Sequence, residues 1–85
     1  MQKFVYIIKD PLGMHARPAA LLVKTASAYK AKGILSCNKK QADLTRLIAL
    51  MTLGVKQGMI VTVTFEGEDE KEAMDALAQV LIDKL

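Results

Sequence analysis

Two periods of apolar residues alternate along this chain, and each change of period marks a new element. In "QKFVYII", residues 2–8, β-branched and aromatic side chains dominate, and Phe4, Tyr6 and Ile8 share one face, which predicts a strand. "DPLG" at 10–13 breaks it, as proline and glycine do. From Pro18 to about Tyr29 the period lengthens: Ala19, Leu22, Val23 and Ala26 fall at i, i+3, i+4 and i+7, while Lys24, Thr25 and Ser27 lie off that stripe. The spacing predicts an amphipathic helix with Pro18 in its first turn, where a missing N–H costs nothing.

"GILSC" at 33–37 and a short partner at 40–43 predict a hairpin turning at Asn38-Lys39. Leu44 to Val55 predicts a second, shorter apolar helix closed by a glycine-containing turn. "IVTVTFE" at 60–66 sets Val61, Val63 and Phe65 against Thr62 and Thr64, a half-buried strand. Glu70 to Lys84 predicts the last helix, with acids in its first turn and a lysine at its end to match the macrodipole. The order β-α-β-β-α-β-α suits an α+β fold whose helices sit on one face of a small, mostly antiparallel sheet.

Composition narrows the function classes. At 85 residues the chain is expected to form one domain, 1–85, with one main site. No apolar run approaches the ~20 residues that span a bilayer, and the N-terminus lacks a signal-peptide layout, so a cytosolic protein is expected. The single cysteine, Cys37, agrees, and it is expected to be a small buried or edge residue rather than a reactive thiol. The net charge of +3 is unevenly spread: residues 1–40 carry eight Lys/Arg and one acid, residues 41–85 four and eight. An acidic protein surface or a phosphate suits the N-terminal half. Nucleic acid is not expected, because four scattered aromatic residues make no stacking platform.

The chemistry concentrates in "LGMHARPAAL", residues 12–21, which places the only histidine, His15, at the mouth of the first helix. The first N–H groups of a helix lack intrahelical acceptors and carry partial positive charge, so such an end binds anions. With Pro18 inside the first turn, the amides of Ala16 and Arg17 remain available to an oxyanion on the His15 ring. Arg17 adds a planar, charged fork of donors matched to phosphate oxygens. The same positive surroundings disfavour the imidazolium, leaving a ring expected to be neutral and nucleophilic. A usable lone pair beside preorganised donors is what a reversible phosphoryl acceptor requires. A lone histidine near a helix start is, however, ordinarily a surface or capping residue. No second histidine or Cys/His set suggests a metal.

The stretch from Gly13 to Ala20 resembles the active-site pattern of the HPr family, the histidine-containing phosphocarriers of the bacterial phosphoenolpyruvate-dependent sugar phosphotransferase system. "LIALMTLGVKQG" at 47–58 and "EGEDEKEA" at 66–73 are similar too, so the resemblance covers essentially the whole chain. It implies an open-faced β-sandwich: a four-stranded antiparallel sheet with three helices on one side. It also implies that His15 accepts a phosphoryl group on Nδ1 from enzyme I and passes it to an enzyme IIA domain. Arg17 would clamp the phosphate, and the backbone N–H groups of Ala16 and Arg17 would hold it. No metal or organic cofactor is expected in such a carrier, which holds a phosphohistidine intermediate rather than turning over alone. The family's docking face maps to Ala20, Leu21, Lys24 and Ser27 with Leu47, Ile48 and Met51, while Leu50 and Leu53 are expected to be core. A monomer is expected, since a shuttle must keep that face free.

One departure stands out. Where many Gram-positive members carry a regulatory serine at the start of the second helix, this chain has Arg46, which puts that kinase-dependent control in doubt. A cation there opposes the macrodipole, so a compensating partner or a shifted helix start is expected, with Thr45 as the cap. Two other readings remain: a regulatory binding module using the same face, although such members usually lack the histidine, and the nitrogen-regulatory phosphocarrier branch, which shares "LGMHARPA".

Overall fold

A computed structural model describes residues 1–85. Its elements are β1 (Gln2–Ile7), α1 (Ala16–Ser27), β2 (Lys32–Cys37), β3 (Lys40–Asp43), α2 (Leu47–Met51), β4 (Ile60–Glu66) and α3 (Glu70–Lys84). The four strands form one antiparallel sheet in the order β1-β4-β2-β3. The central strand β4 sets Phe4 against Val63 and Ile7 against Ile60 on one side, and Leu35 against Val63 on the other.

Period-two alternation sorts the strand residues by face. Val61, Val63, Phe65, Leu35, Cys37 and Ala42 are buried on one side, with Phe4 and Tyr6 half-buried against them. All three helices supply the rest of this one core through Ala19, Leu22, Ala26, Leu50, Ala73, Leu77 and Leu81. The opposite face of the sheet is open and carries Lys3, Val5, Ile7 and Ile60. The α+β open-faced β-sandwich is therefore the architecture of this chain.

The β2–β3 hairpin turns at Asn38 and Lys39, both at positive φ (51° and 67°), the pairing of a tight turn whose twist matches the flanking strands. Cys37 is buried just before it, and desolvation pushes its thiol pKa up, as suits a packed, unreactive cysteine.

Two helix boundaries differ from the sequence expectation. Helix α1 begins two residues earlier, so Pro18 is its third residue, still within the turn whose N–H groups have no partner. Helix α2 spans only five residues instead of the twelve-residue apolar run. Leu44 is fully buried, and its amide donates to the Gly33 carbonyl at 3.0 Å, so it belongs to the end of the hairpin. At the far end the chain leaves the helix after Met51 and passes through Gly54 at φ +76°. Leu50 is fully buried, whereas Leu53 is half-buried against the core.

Thr45 is not the cap of α2. Its hydroxyl and its amide both donate to Asp43 Oδ1, at 2.6 and 2.8 Å, closing a side-chain turn before the helix. Arg46 is the N-cap residue, in extended conformation and without a side-chain cap bond. The compensating acid is Asp43, held below the usual carboxylate range first by the Thr45 hydroxyl and amide, then by the charges of Lys32 and Arg46.

Candidate functional site

The loop from Asp10 to His15 is shaped residue by residue. Asp10 Oδ1 accepts the Leu12 amide at 2.8 Å and the Asp10 carbonyl accepts the Gly13 amide at 3.0 Å, so "DPLG" folds into a tight turn. Gly13 sits at φ +66°, and a Cβ there would lie 2.4 Å from the Val55 carbonyl oxygen. Only glycine fits both the left-handed backbone and that approach. The next residue, Met14, is buried and donates its amide to the same Val55 carbonyl at 3.1 Å, pinning the loop to the segment after α2.

His15 follows as the N-cap of α1, in extended conformation (φ −103°, ψ −178°). Its carbonyl accepts the first helical bond, from Ala19 at 3.1 Å, and Pro18 has no N–H to offer. The amides of Ala16 and Arg17 donate to no group of the chain, and no acidic residue lies in the first turn. Both residues are exposed, while Pro18 and Ala19 behind them are buried and fix the start of the helix to the core. The His15 side chain is 35% exposed, with Nε2 4.0 Å from Asp10 Oδ2. Arg17 makes no ion pair or side-chain hydrogen bond within the chain, so its guanidinium is free to meet an external anion.

Helices α1 and α2 pack against one another. On α1, Ala20, Leu21, Lys24 and Ser27 are exposed, and on α2 Ile48 is 70% exposed, Met51 is exposed and Leu47 half-buried. Each of these residues therefore keeps accessible surface beside the helix that His15 caps. A branched aliphatic side chain this exposed on a five-residue helix is not core.

Sequence reasoning missed two residues here. Leu12, three positions before His15, is 74% exposed at the turn of the loop. Asp10, read only as part of a strand breaker, comes back toward the imidazole because the turn reverses the chain. An acid five residues before the histidine carried no periodic signal, and only the turn brings it there.

A lone imidazole at an uncompensated helix mouth, on an open-faced sandwich, is the construction of the small histidine phosphocarriers. The family model for the PTS HPr component phosphorylation site matches residues 2–83. The chain is 37% identical over 83 residues to the phosphocarrier protein HPr of Mycoplasma capricolum, covering 98% of this chain and 93% of that one. It superposes on the crystal structure of HPr-C-His from Thermoanaerobacter tengcongensis with a TM-score of 0.92 at 38% identity, over 99% and 94% of the two chains. On the histidine-containing phosphocarrier protein of a Mycoplasma the TM-score is 0.94 at 36% identity, over 96% and 93%. The chain belongs to the PTS-HPr family, the HPr phosphocarriers of the phosphotransferase system.

Proposed function

We propose that this protein accepts a phosphoryl group on Nδ1 of His15 from phosphorylated enzyme I of the phosphoenolpyruvate-dependent sugar phosphotransferase system and passes it to a histidine of an enzyme IIA domain. The observation that carries this reading is the start of α1, where His15 is the cap and the Ala16 and Arg17 amides lack acceptors. A phosphoryl group on the ring brings anionic oxygens to those donors, and the Arg17 guanidinium adds charge-assisted bonds. The two amides are fixed by the helix before the phosphoryl group arrives, so they stabilise charge without reorganising.

The partners dock on the face formed by Ala20, Leu21, Lys24, Ser27, Leu47, Ile48 and Met51, with apolar side chains at its centre and Lys24 and Arg17 offered to acidic surfaces. The protein works in the cytoplasm as a monomeric, single-domain shuttle without a metal or organic cofactor. Arg46 cannot accept a phosphoryl group from a serine kinase, so that mode of control is absent at this position.

The test is incubation with phosphoenolpyruvate, magnesium and enzyme I, followed by intact-mass and acid-lability analysis, with His15→Ala in parallel. The expected result is an acid-labile phosphoryl adduct on the wild type and none on a folded His15→Ala protein. An adduct of equal yield on His15→Ala, or none on the folded wild type with enzyme I from the same organism, overturns the reading.

A further inference from the structure

We propose that Asp10 is a positioning residue for His15, its carboxylate holding the imidazole with the proton on Nε2 so that Nδ1 presents the free lone pair; this rests on the phosphoryl-acceptor reading above. Asp10 is itself tightly placed. Its amide donates to the Leu85 carbonyl at 2.8 Å, its carbonyl accepts the Gly13 amide, and Oδ1 accepts the Leu12 amide. One carboxylate oxygen is thus committed to the turn. The other, Oδ2, has no hydrogen-bond donor and faces His15 Nε2 at 4.0 Å, with both side chains about a third exposed (35% and 28%).

A carboxylate opposite one ring nitrogen favours the tautomer that carries the proton there, which leaves the other nitrogen unprotonated. At 4.0 Å the pair is in electrostatic contact rather than hydrogen-bonded, and such catalytic contacts shorten when the reacting complex forms. During transfer the Nδ1–P bond forms as the bond between phosphorus and the donor's nitrogen breaks. No proton leaves the ring, since the one on Nε2 stays, so the phosphorylated imidazole becomes a cation. Asp10 then faces the new positive charge, while the helix amides and Arg17 face the negative phosphoryl oxygens on the other side. Onward transfer reverses the same step and returns the neutral Nε2–H ring.

The experiment reads the tautomer directly, by ¹⁵N NMR of the His15 ring at about pH 8.5, well above the ordinary imidazole value of ~6.5, so that neutral forms are compared. Asp10→Asn is the informative variant. It keeps a carbonyl oxygen for the Leu12 amide, so the turn is retained, but it offers Nε2 an amide N–H in place of an acceptor. The expected result is an Nε2–H ring in the wild type, a population shifted toward Nδ1–H in Asp10→Asn, and phosphoryl acceptance slowed roughly tenfold, as for other carboxylate–histidine pairs. Asp10→Glu is expected to restore part of both.

A wild-type ring dominated by Nδ1–H overturns the proposal without any variant. So does an Asp10→Asn protein whose tautomer is unchanged, even if acceptance slows, because the residue would then shape only the loop. A tautomer shift of the expected sign in a protein that takes no phosphoryl group from enzyme I supports the Asp10–His15 pairing and overturns the function reading instead.

Discussion

Helices α1 and α3 begin under the same electrostatic demand and meet it in opposite ways. At α3 the chain supplies its own anions. Asp69, Glu70 and Glu72 stand at the start, Glu70 Oε1 accepts the Gly67 amide at 3.2 Å, and Glu70 Oε2 pairs with the Met1 amino group at 2.7 Å. The Asp69 carboxylate accepts the Lys30 and Ala31 amides at 2.9 and 2.7 Å, tying α3 to the segment that follows α1. At α1 there is no acid in the first turn, and the guanidinium of Arg17 has no partner within the chain. One helix start carries resident acids that offset its dipole, and the other carries none.

The comparison breaks most visibly if α1 is made to resemble α3. Ala16→Glu places a resident carboxylate at the open mouth and is expected to slow phosphoryl acceptance about a hundredfold, the scale of losing a preorganised anion donor. The same change is expected to raise unfolding free energy by about 0.3–1 kcal/mol through the macrodipole. Rate and chemical denaturation measured on one preparation check both signs. A variant that lost rate and stability together would instead indicate a damaged loop.

Gly13→Ala tests whether the loop shape is as essential as the open amides. Left-handed backbone alone costs a residue with a Cβ about 1–3 kcal/mol, and the Val55 carbonyl must also move. A lowered denaturation midpoint together with reduced acceptance is expected, since the Met14 amide donates to that Val55 carbonyl and the His15 amide to the carbonyl of Gly13 itself.

Acid titration sharpens the contrast from the α3 side. Asp69 is held below the usual carboxylate range chiefly by the Lys30 amide, and Glu70 by the Met1 amino group and the Gly67 amide. Carboxylates with depressed values bind protons more readily in the unfolded chain. Their stabilisation is therefore complete above the unfolded values of ~3.9 and ~4.3 and is lost as pH falls through them toward the folded values. Asp69→Asn is expected to lower the melting temperature at neutral pH, to flatten its fall in acid, and to leave phosphoryl acceptance unchanged. Melting curves across that window check it.

The smallest effect is expected at the third helix start. Arg46→Ser removes a cation from the N-cap of α2 and supplies a capping hydroxyl, a gain of about 0.5–1 kcal/mol by denaturant unfolding with no loss of acceptance. If stability falls instead, the charge of Arg46 near Asp43 matters more than the dipole it opposes.

The regular elements were legible in the sequence because burial on one face imposes a period that the residues cannot hide. Strand β4 and helix α3 occupy the residues their alternation and end charges predict. Helix α2 was not legible at its ends, since Leu44 is apolar for the sake of the hairpin and Val55 for the loop, and both extend the run without being helical. The motif around His15 declared the helix mouth and singled out the proposed acceptor and its arginine. It did not declare Asp10, because nearness across a turn depends on backbone angles at Leu12 and Gly13 rather than on any spacing of side-chain types.

The place of β4 in the sheet bears on how this chain leaves the ribosome. The first strand has no partner except β4, more than fifty residues downstream, and β2 also waits for β4 on one of its edges. Until residues 60–66 have emerged, a nascent chain can close only the β2–β3 hairpin and its local helices, and the most demanding loop closure comes late. The His15 loop is anchored at Val55, just before that strand, so it sets only near the end of synthesis. A half-made chain thus has no anchored His15 loop at the mouth of its first helix.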